Sequence, residues 1–405
     1  MNKTLALALV LVLTGCTTII RANQQGATTE GVMSVVESNN KFAIDFYHKI
    51  RVNDEGNLFF SPYSLSTALA MTYEGARGET RKEIQEVFYF MEDDSLRRPS
   101  TGMVYNLINT PRAKYNISTA NALWVQEEFP IREDYVKLIR DYYAGEATNL
   151  DFVERTEESR VRINNWVEDY TNNKIKNILP PGTLSPLTRL VLTNAVHFKG
   201  YWEHQFSKDD TTDQDFNTSS QLVTVPMMRL TDSELAFNYT EDDSVQVLEL
   251  AYKGGDLSML LILPKNESLI TVEQGLTNNK LNEWSSGLTP EEVYIYLPRF
   301  TFETKYFLSE ELKEMGMPTA FTESANFTDI SSFPLMIDDV IHQGFVEVNE
   351  EGTEVAAATA VVIAITSAPI KEPKFFRADH PFIFLIRERS TGAIVFMGRV
   401  TNPVS

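Results

Sequence analysis

Apolar residues recur at i, i+3, i+4 and i+7 in two early stretches, Ala43, Phe46, Tyr47, Ile50 and later Ile163, Trp166, Val167, Tyr170. That spacing lines one face of a helix in each place. Thr156 with Glu157 and Glu158 supplies a helix start for the second. A further helix is predicted over 81–88, behind the punctuation Gly75-Ala76-Arg77-Gly78-Glu79-Thr80. A short strand through Phe59 and Phe60 runs into Ser61-Pro62, where proline suits a first helical turn and serine a cap. Strand patterns then take over: 121–125, a long run over 190–202, most of 223–263, and 293–300. Turns are predicted at Glu241-Asp242-Asp243 and Lys253-Gly254-Gly255-Asp256. Helices early and strands late predict an α+β protein.

One stretch fits neither pattern. It begins Glu350-Glu351-Gly352-Thr353-Glu354-Val355, passes through Ala356, Ala357 and Ala358, and becomes β-branched at Val361-Val362-Ile363 before Pro369. The alanines favour helix and the β-branched residues favour strand. Such a segment can occupy two conformations. As a strand, Thr353, Val355, Ala357, Thr359, Val361 and Ile363 would share one face, and Glu354 would lie on the other. The run is too short for a membrane helix. An exposed run of this kind is an aggregation hazard, so its exposure needs a reason.

The chain has 405 residues, 43% hydrophobic and 23% charged, with a net charge of −20. This is an ordinary globular composition, and length alone suggests two or three domains. The acidic balance argues against a nucleic-acid track. The single cysteine is Cys16. Lys3, the apolar run over 5–13 and Leu13-Thr14-Gly15-Cys16 read as a signal peptide over 1–15. The last four residues resemble a prokaryotic lipobox, which implies lipidation at Cys16, a flexible tether over 16–31, and anchoring at the cell surface or periplasmic face. The alternative is an ordinary secretory signal with a chance cysteine. No disulfide framework is expected.

Enzyme signatures are missing. There is no His-Glu-x-x-His, no Gly-x-x-x-x-Gly-Lys, no Gly-x-Ser-x-Gly and no Cys-x-x-Cys. His48, His197, His204, His342 and His380 are scattered. Neither catalysis, a metal site nor a cofactor is expected.

Several motifs, in order, carry a family resemblance. Phe59-Phe60-Ser61-Pro62, Gly75-x-x-Gly78-x-Thr80, the helix around Ile163-Asn164-Asn165-Trp166-Val167, Asn194-x-x-x-Phe198-Lys199-Gly200-x-Trp202, Leu297-Pro298-Arg299-Phe300 and the C-terminal His380-Pro381-Phe382 with Phe396-Met397-Gly398-Arg399 are similar to serpin signatures. The resemblance implies one domain over 32–405, overriding the length prior. It implies a large mixed β-sheet plus smaller sheets, about eight to nine helices, and an exposed reactive centre loop at about 350–373.

The resemblance also implies a mechanism. A protease attacks one bond of the loop, and the upstream half inserts as a new strand in the main sheet, trapping the acyl-enzyme. The hinge would be Glu350, Gly352, Thr353, Val355, Ala356, Ala357 and Ala358, with Val355 a departure from the alanine usual there. Ser61, Ser64, Asn194 and His342 match the polar shutter cluster under the sheet. Trp202, Arg299 and Glu350 match the breach group at the insertion point, and an Arg299–Glu350 ion pair is predicted, worth under about 1 kcal/mol if exposed. Family spacing from Glu350 puts the reactive bond at Thr366–Ser367, with Ile365 and Ala364 as alternatives. A small or β-branched residue there suits elastase-like or subtilisin-like serine proteases rather than a trypsin-like pocket; papain-like cysteine proteases stay open. A monomer is expected. The competing reading is a non-inhibitory serpin with a binding role.

Overall fold

The computed structural model describes residues 21–52, 54–110, 115–353 and 372–404. The signal peptide, Cys16, Val355 to Ala358 and the Thr366–Ser367 bond lie outside the described residues. The first half is helix-rich: α1 (Thr29–Arg51), β1 (Leu58–Phe60), α2 (Pro62–Gly75), α3 (Gly78–Phe88), α4 (Asp94–Asn109), β2 (Tyr115–Gln126), α5 (Glu133–Tyr143), β3 (Glu146–Leu150), α6 (Thr156–Tyr170) and β4 (Leu190–Tyr201). Then come β5 (Thr212–Asn217), β6 (Leu222–Leu230), β7 (Phe237–Glu241), β8 (Val245–Ala251), β9 (Leu257–Pro264), α7 (Leu269–Gly275) and α8 (Asn278–Gly287). The chain closes with β10 (Thr289–Glu291), β11 (Val293–Pro298), β12 (Phe300–Phe307), α9 (Ser309–Met315), β13 (Asp339–Val348), β14 (Gly352–Thr353), β15 (Lys374–Arg377), β16 (Phe382–Glu388) and β17 (Ile394–Val400).

The described residues form three sheets. One is antiparallel and seven-stranded, in the order β1-β17-β16-β9-β8-β7-β10. A four-stranded sheet runs β15-β11-β6-β5. The third is mixed, in the order β12-β13-β4-β2-β3 with β14 on β4. Its strands β2 and β4 are the longest, 12 residues each, although the antiparallel sheet has more strands.

β4 is covered on both faces, so it reads as a nearly unbroken buried run. Val191 and Ala195 pack with Ile163 and Val167 of α6. Leu190 and Leu192 join the core around α1 and α2, and Val196 and Phe198 join the core with the antiparallel sheet. Ser61 caps α2 by accepting from the Ser64 amide at 3.1 Å, with Pro62 in the first turn.

Two expectations change. The run 293–300 is not one strand: β11 ends at Pro298, which has no N–H to continue a ladder, and the chain crosses at Arg299 into β12 of another sheet. The tether over 16–31 is too long. Asn106 of α4 clamps the Ala22 backbone from both sides (3.0 and 2.9 Å), the Asn23 amide donates to the Asp141 carbonyl at 2.5 Å, and Thr28 caps α1.

Candidate functional site

The site grows from the junction of β13 and β4. These strands pair in parallel from Asp339–Val191 to Phe345–His197 and no further. Beyond that point the chain turns back. Asn349 and Gly352 exchange backbone hydrogen bonds of 2.9 and 3.2 Å, making Glu350-Glu351 a two-residue turn. β14 then runs antiparallel to β4, with Gly352 opposite Tyr201 and Thr353 opposite Gly200. The first hinge residues therefore already fill the space between the diverging strands.

Only glycine fits at 352. Its φ is +148°, and a Cβ there would lie 2.1 Å from the Gly200 carbonyl oxygen. Thr353 is buried, with its hydroxyl 3.0 Å from the Tyr252 phenol. Burial pushes the Tyr252 phenol well up, so it stays protonated and available for that bond.

The turn is gripped by polar groups. Trp202 donates from its indole to the Asn349 carbonyl (2.9 Å) and from its amide to the Glu351 carbonyl (2.9 Å), and its ring stacks on Tyr252. The Phe206 amide donates to the Glu350 carbonyl at 2.9 Å. The Glu350 carboxylate accepts from Arg299 and from the Thr211 hydroxyl (2.7 Å), while Lys208 pairs with Glu351 at 2.6 Å. The predicted Arg299–Glu350 pair is present, but it is not an exposed pair. Glu350 is only 2% exposed on its side chain against 43% for Arg299. Burial pushes the Glu350 carboxyl up, and the bonds from Arg299 and Thr211 outweigh it and hold the group below the usual range.

A second polar group lies lower, between β4, β13 and α2. His342 sits opposite Asn194 in the parallel ladder. Its Nε2 accepts the Ser61 amide at 3.1 Å, which leaves the proton on Nδ1 to donate to the Asn194 side-chain oxygen. Asn194 donates in turn to the Ser64 hydroxyl (2.6 Å) and to Asn121. Ser64 donates to Asn121 at 3.1 Å, and Ser61 donates to the Val395 carbonyl at 2.7 Å. All five side chains are buried. Burial lowers the His342 pKa to about 3, so the ring is neutral.

The structure thus brings Trp202, Arg299 and Glu350 together in one cluster and Ser61, Ser64, Asn194 and His342 in another. Asn121 belongs to the second and escaped the sequence reading. Its signal was a polar residue at an inward position of an apolar strand, beside Leu123 and Val125. Thr211, Lys208 and Tyr252 left no such signal, because the fold alone brings them to the turn. Among the described residues no group of three or more His, Cys, Asp or Glu could hold a metal, and no helix is long and apolar enough to cross a membrane.

Comparison with known proteins places this geometry. The family described as "Serpin (serine protease inhibitor)" matches residues 37–403. A serpin-like protein of Methanosarcina acetivorans is 40% identical over 412 residues, covering 100% of this chain and 96% of its own. The leukocyte elastase inhibitor of Xenopus laevis is 37% identical, covering 89% of this chain and 97% of its own. Among solved structures, Serpin48, a highly specific serpin of the insect Tenebrio molitor, superposes with a TM-score of 0.81 at 32% identity, covering 91% of this chain and 98% of that one. The chain belongs to the serpin family.

Proposed function

We propose that the protein is not an enzyme but a suicide inhibitor of serine endopeptidases, consumed as its cleaved loop inserts into the mixed sheet. The observation that carries this reading is β14. Its two residues stand in register on the upper end of β4, in the only orientation that lets the rest of the loop follow. Continued one for one, that register takes Val355 to Phe198, Ala357 to Val196, Thr359 to Asn194, Val361 to Leu192 and Ile363 to Leu190, the first residue of β4. Each of these β4 residues faces the core side, so the loop's odd face would be buried. On the other face Glu354 would meet Lys199. Thr366 would hang three residues beyond the start of β4, which supports Thr366–Ser367 as the reactive bond and leaves Ile365 and Ala364 one and two residues nearer.

The energetics favour insertion. Some dozen new ladder hydrogen bonds at about 1 kcal/mol net each, with burial of one apolar face, amount to about 10 kcal/mol or more. The uninserted form is then held kinetically, by the hydrogen bonds at Asn194 and His342 that β4 and β13 must break to part. Elastase-like and subtilisin-like proteases fit the small reactive residue, and kinship with a leukocyte elastase inhibitor supports the first. A lipid on Cys16 would hold the inhibitor at the cell surface or periplasmic face.

Incubation with an elastase and with subtilisin tests the reading. A complex that survives boiling in detergent is expected with at least one. Clean cleavage without a complex would mean a non-inhibitory serpin, and a complex with papain alone would move the target to cysteine proteases.

A further inference from the structure

Phe375 on β15 is 56% exposed, more than any other aromatic ring among the described residues. It does not stand alone. In the parallel pairing of β15 with β11, Phe375 lies opposite Tyr294 and Arg377 opposite Tyr296. Tyr296 is opposite Arg229 on its other side. Phe375 and Tyr294 meet edge to face at 5.6 Å, and the Arg377 guanidinium lies 3.9 Å from the Tyr296 ring centre. Paired neighbours share a face of a sheet, so three rings and two guanidinium groups stand together. Among the described residues the arginines hydrogen-bond to uncharged partners, Gln214 for Arg377 (2.7 Å) and Thr231 for Arg229 (3.2 Å), and form no ion pair.

The strand beneath is firmly held. Lys374 pairs with Glu241 at 2.7 Å, and Gln246 donates to the Phe375 carbonyl at 2.8 Å. The rings are presented on fixed backbone, which lowers the entropic cost of binding. Tyrosine, phenylalanine and arginine are the residues enriched where interfaces gain their energy. The positive charge runs against a chain of net charge −20, so solubility does not account for it.

We infer that this face, centred on Phe375, Tyr296, Arg377 and Arg229, is a docking surface for the target protease, meeting a carboxylate-bearing part of it outside its catalytic cleft. The inference rests on the inhibitory reading. The occupant follows from position. Lys374 is seven residues past Ser367, at most about 24 Å of extended chain. A protease seated on the reactive bond is within reach of this face, and its approach would be steered by the two cations.

The test uses the full chain, the variants Arg229→Ala/Arg377→Ala and Phe375→Ala, and elastase and subtilisin as probes. With the protease that forms the complex, the double variant should associate about tenfold more slowly at low salt. The deficit should shrink in 0.5 M salt at about the screening expected for exposed charges, with unchanged stoichiometry. Equal rates for wild type and both variants overturn the docking surface and leave the inhibitory function standing. The loop-cleaved protein is then tested for binding to active-site-blocked protease. Binding lost in the double variant supports the surface even where no covalent complex forms, which separates its fate from that of the inhibitory reading. No binding to either protease, in wild type as in variants, overturns it.

Discussion

His342 accepts a proton-bearing amide on one ring nitrogen and donates from the other, so a second proton has nowhere to go without setting two donors face to face. Its folded pKa of about 3 lies below the ordinary 6.5. Between those values the unfolded chain binds the proton and the native chain does not. The stabilisation is therefore complete above about pH 6.5 and is lost as pH falls toward 3. From pH 7 to pH 5 this residue should cost the native state about 2 kcal/mol. A His342→Gln variant should show a flatter stability curve over that range than wild type in urea titrations, and parallel curves would refute the assignment. Glu350 acts with the same sign but at lower pH, because its folded pKa is also depressed. It is held ionised by Arg299 and Thr211, so its contribution falls away only in acid below the ordinary carboxylate range.

At the scale of elements, the proposed mechanism makes one device of the turn at Glu350-Glu351, β4 and α2. The turn places Thr353 at the top of the gap, β4 supplies the ladder, and α2 presents Ser61 and Ser64 beneath it. Thr353→Arg would force a charged side chain into the buried position beside Tyr252. Insertion should stall there, and the variant should be cleaved as a substrate with little covalent complex; complex yield equal to wild type on a gel would exclude this hinge. Much of the device was legible beforehand. The motifs around Ser61, Asn194 and Trp202 marked residues that the structure gathers into its two polar clusters, while the two-conformation reading of 350–369 falls mostly on residues outside those described. What stayed hidden depended on contacts distant in sequence. Nothing local to Tyr252 or Thr211 points to residues 353 and 350, 101 and 139 positions away. The sheet change at Arg299 was missed although Pro298 signals it, because apolar residues continue on both sides, from Val293 to Leu297 and again at Phe300. The start of α1 at Thr29 was masked by small polar residues that read as a linker but are tied to α4 and α5.

At the scale of the whole molecule, the fold keeps an unfinished sheet. β4 and β13 are paired over only part of their length, and the segment that could complete the sheet is tethered at its open end. A sheet with both faces buried would gain both ladder bonds and apolar burial from a further strand, so insertion would put the cleaved form below the intact one in free energy. The most direct measurement is the thermal midpoint before and after cleavage of the reactive loop. If the cleaved loop inserts along β4, the midpoint should rise by more than about 10 °C, the order expected from about 10 kcal/mol in a domain of this size. A midpoint that is unchanged or lower after clean cleavage at or beside Thr366 would contradict loop insertion and, with it, the inhibitory account.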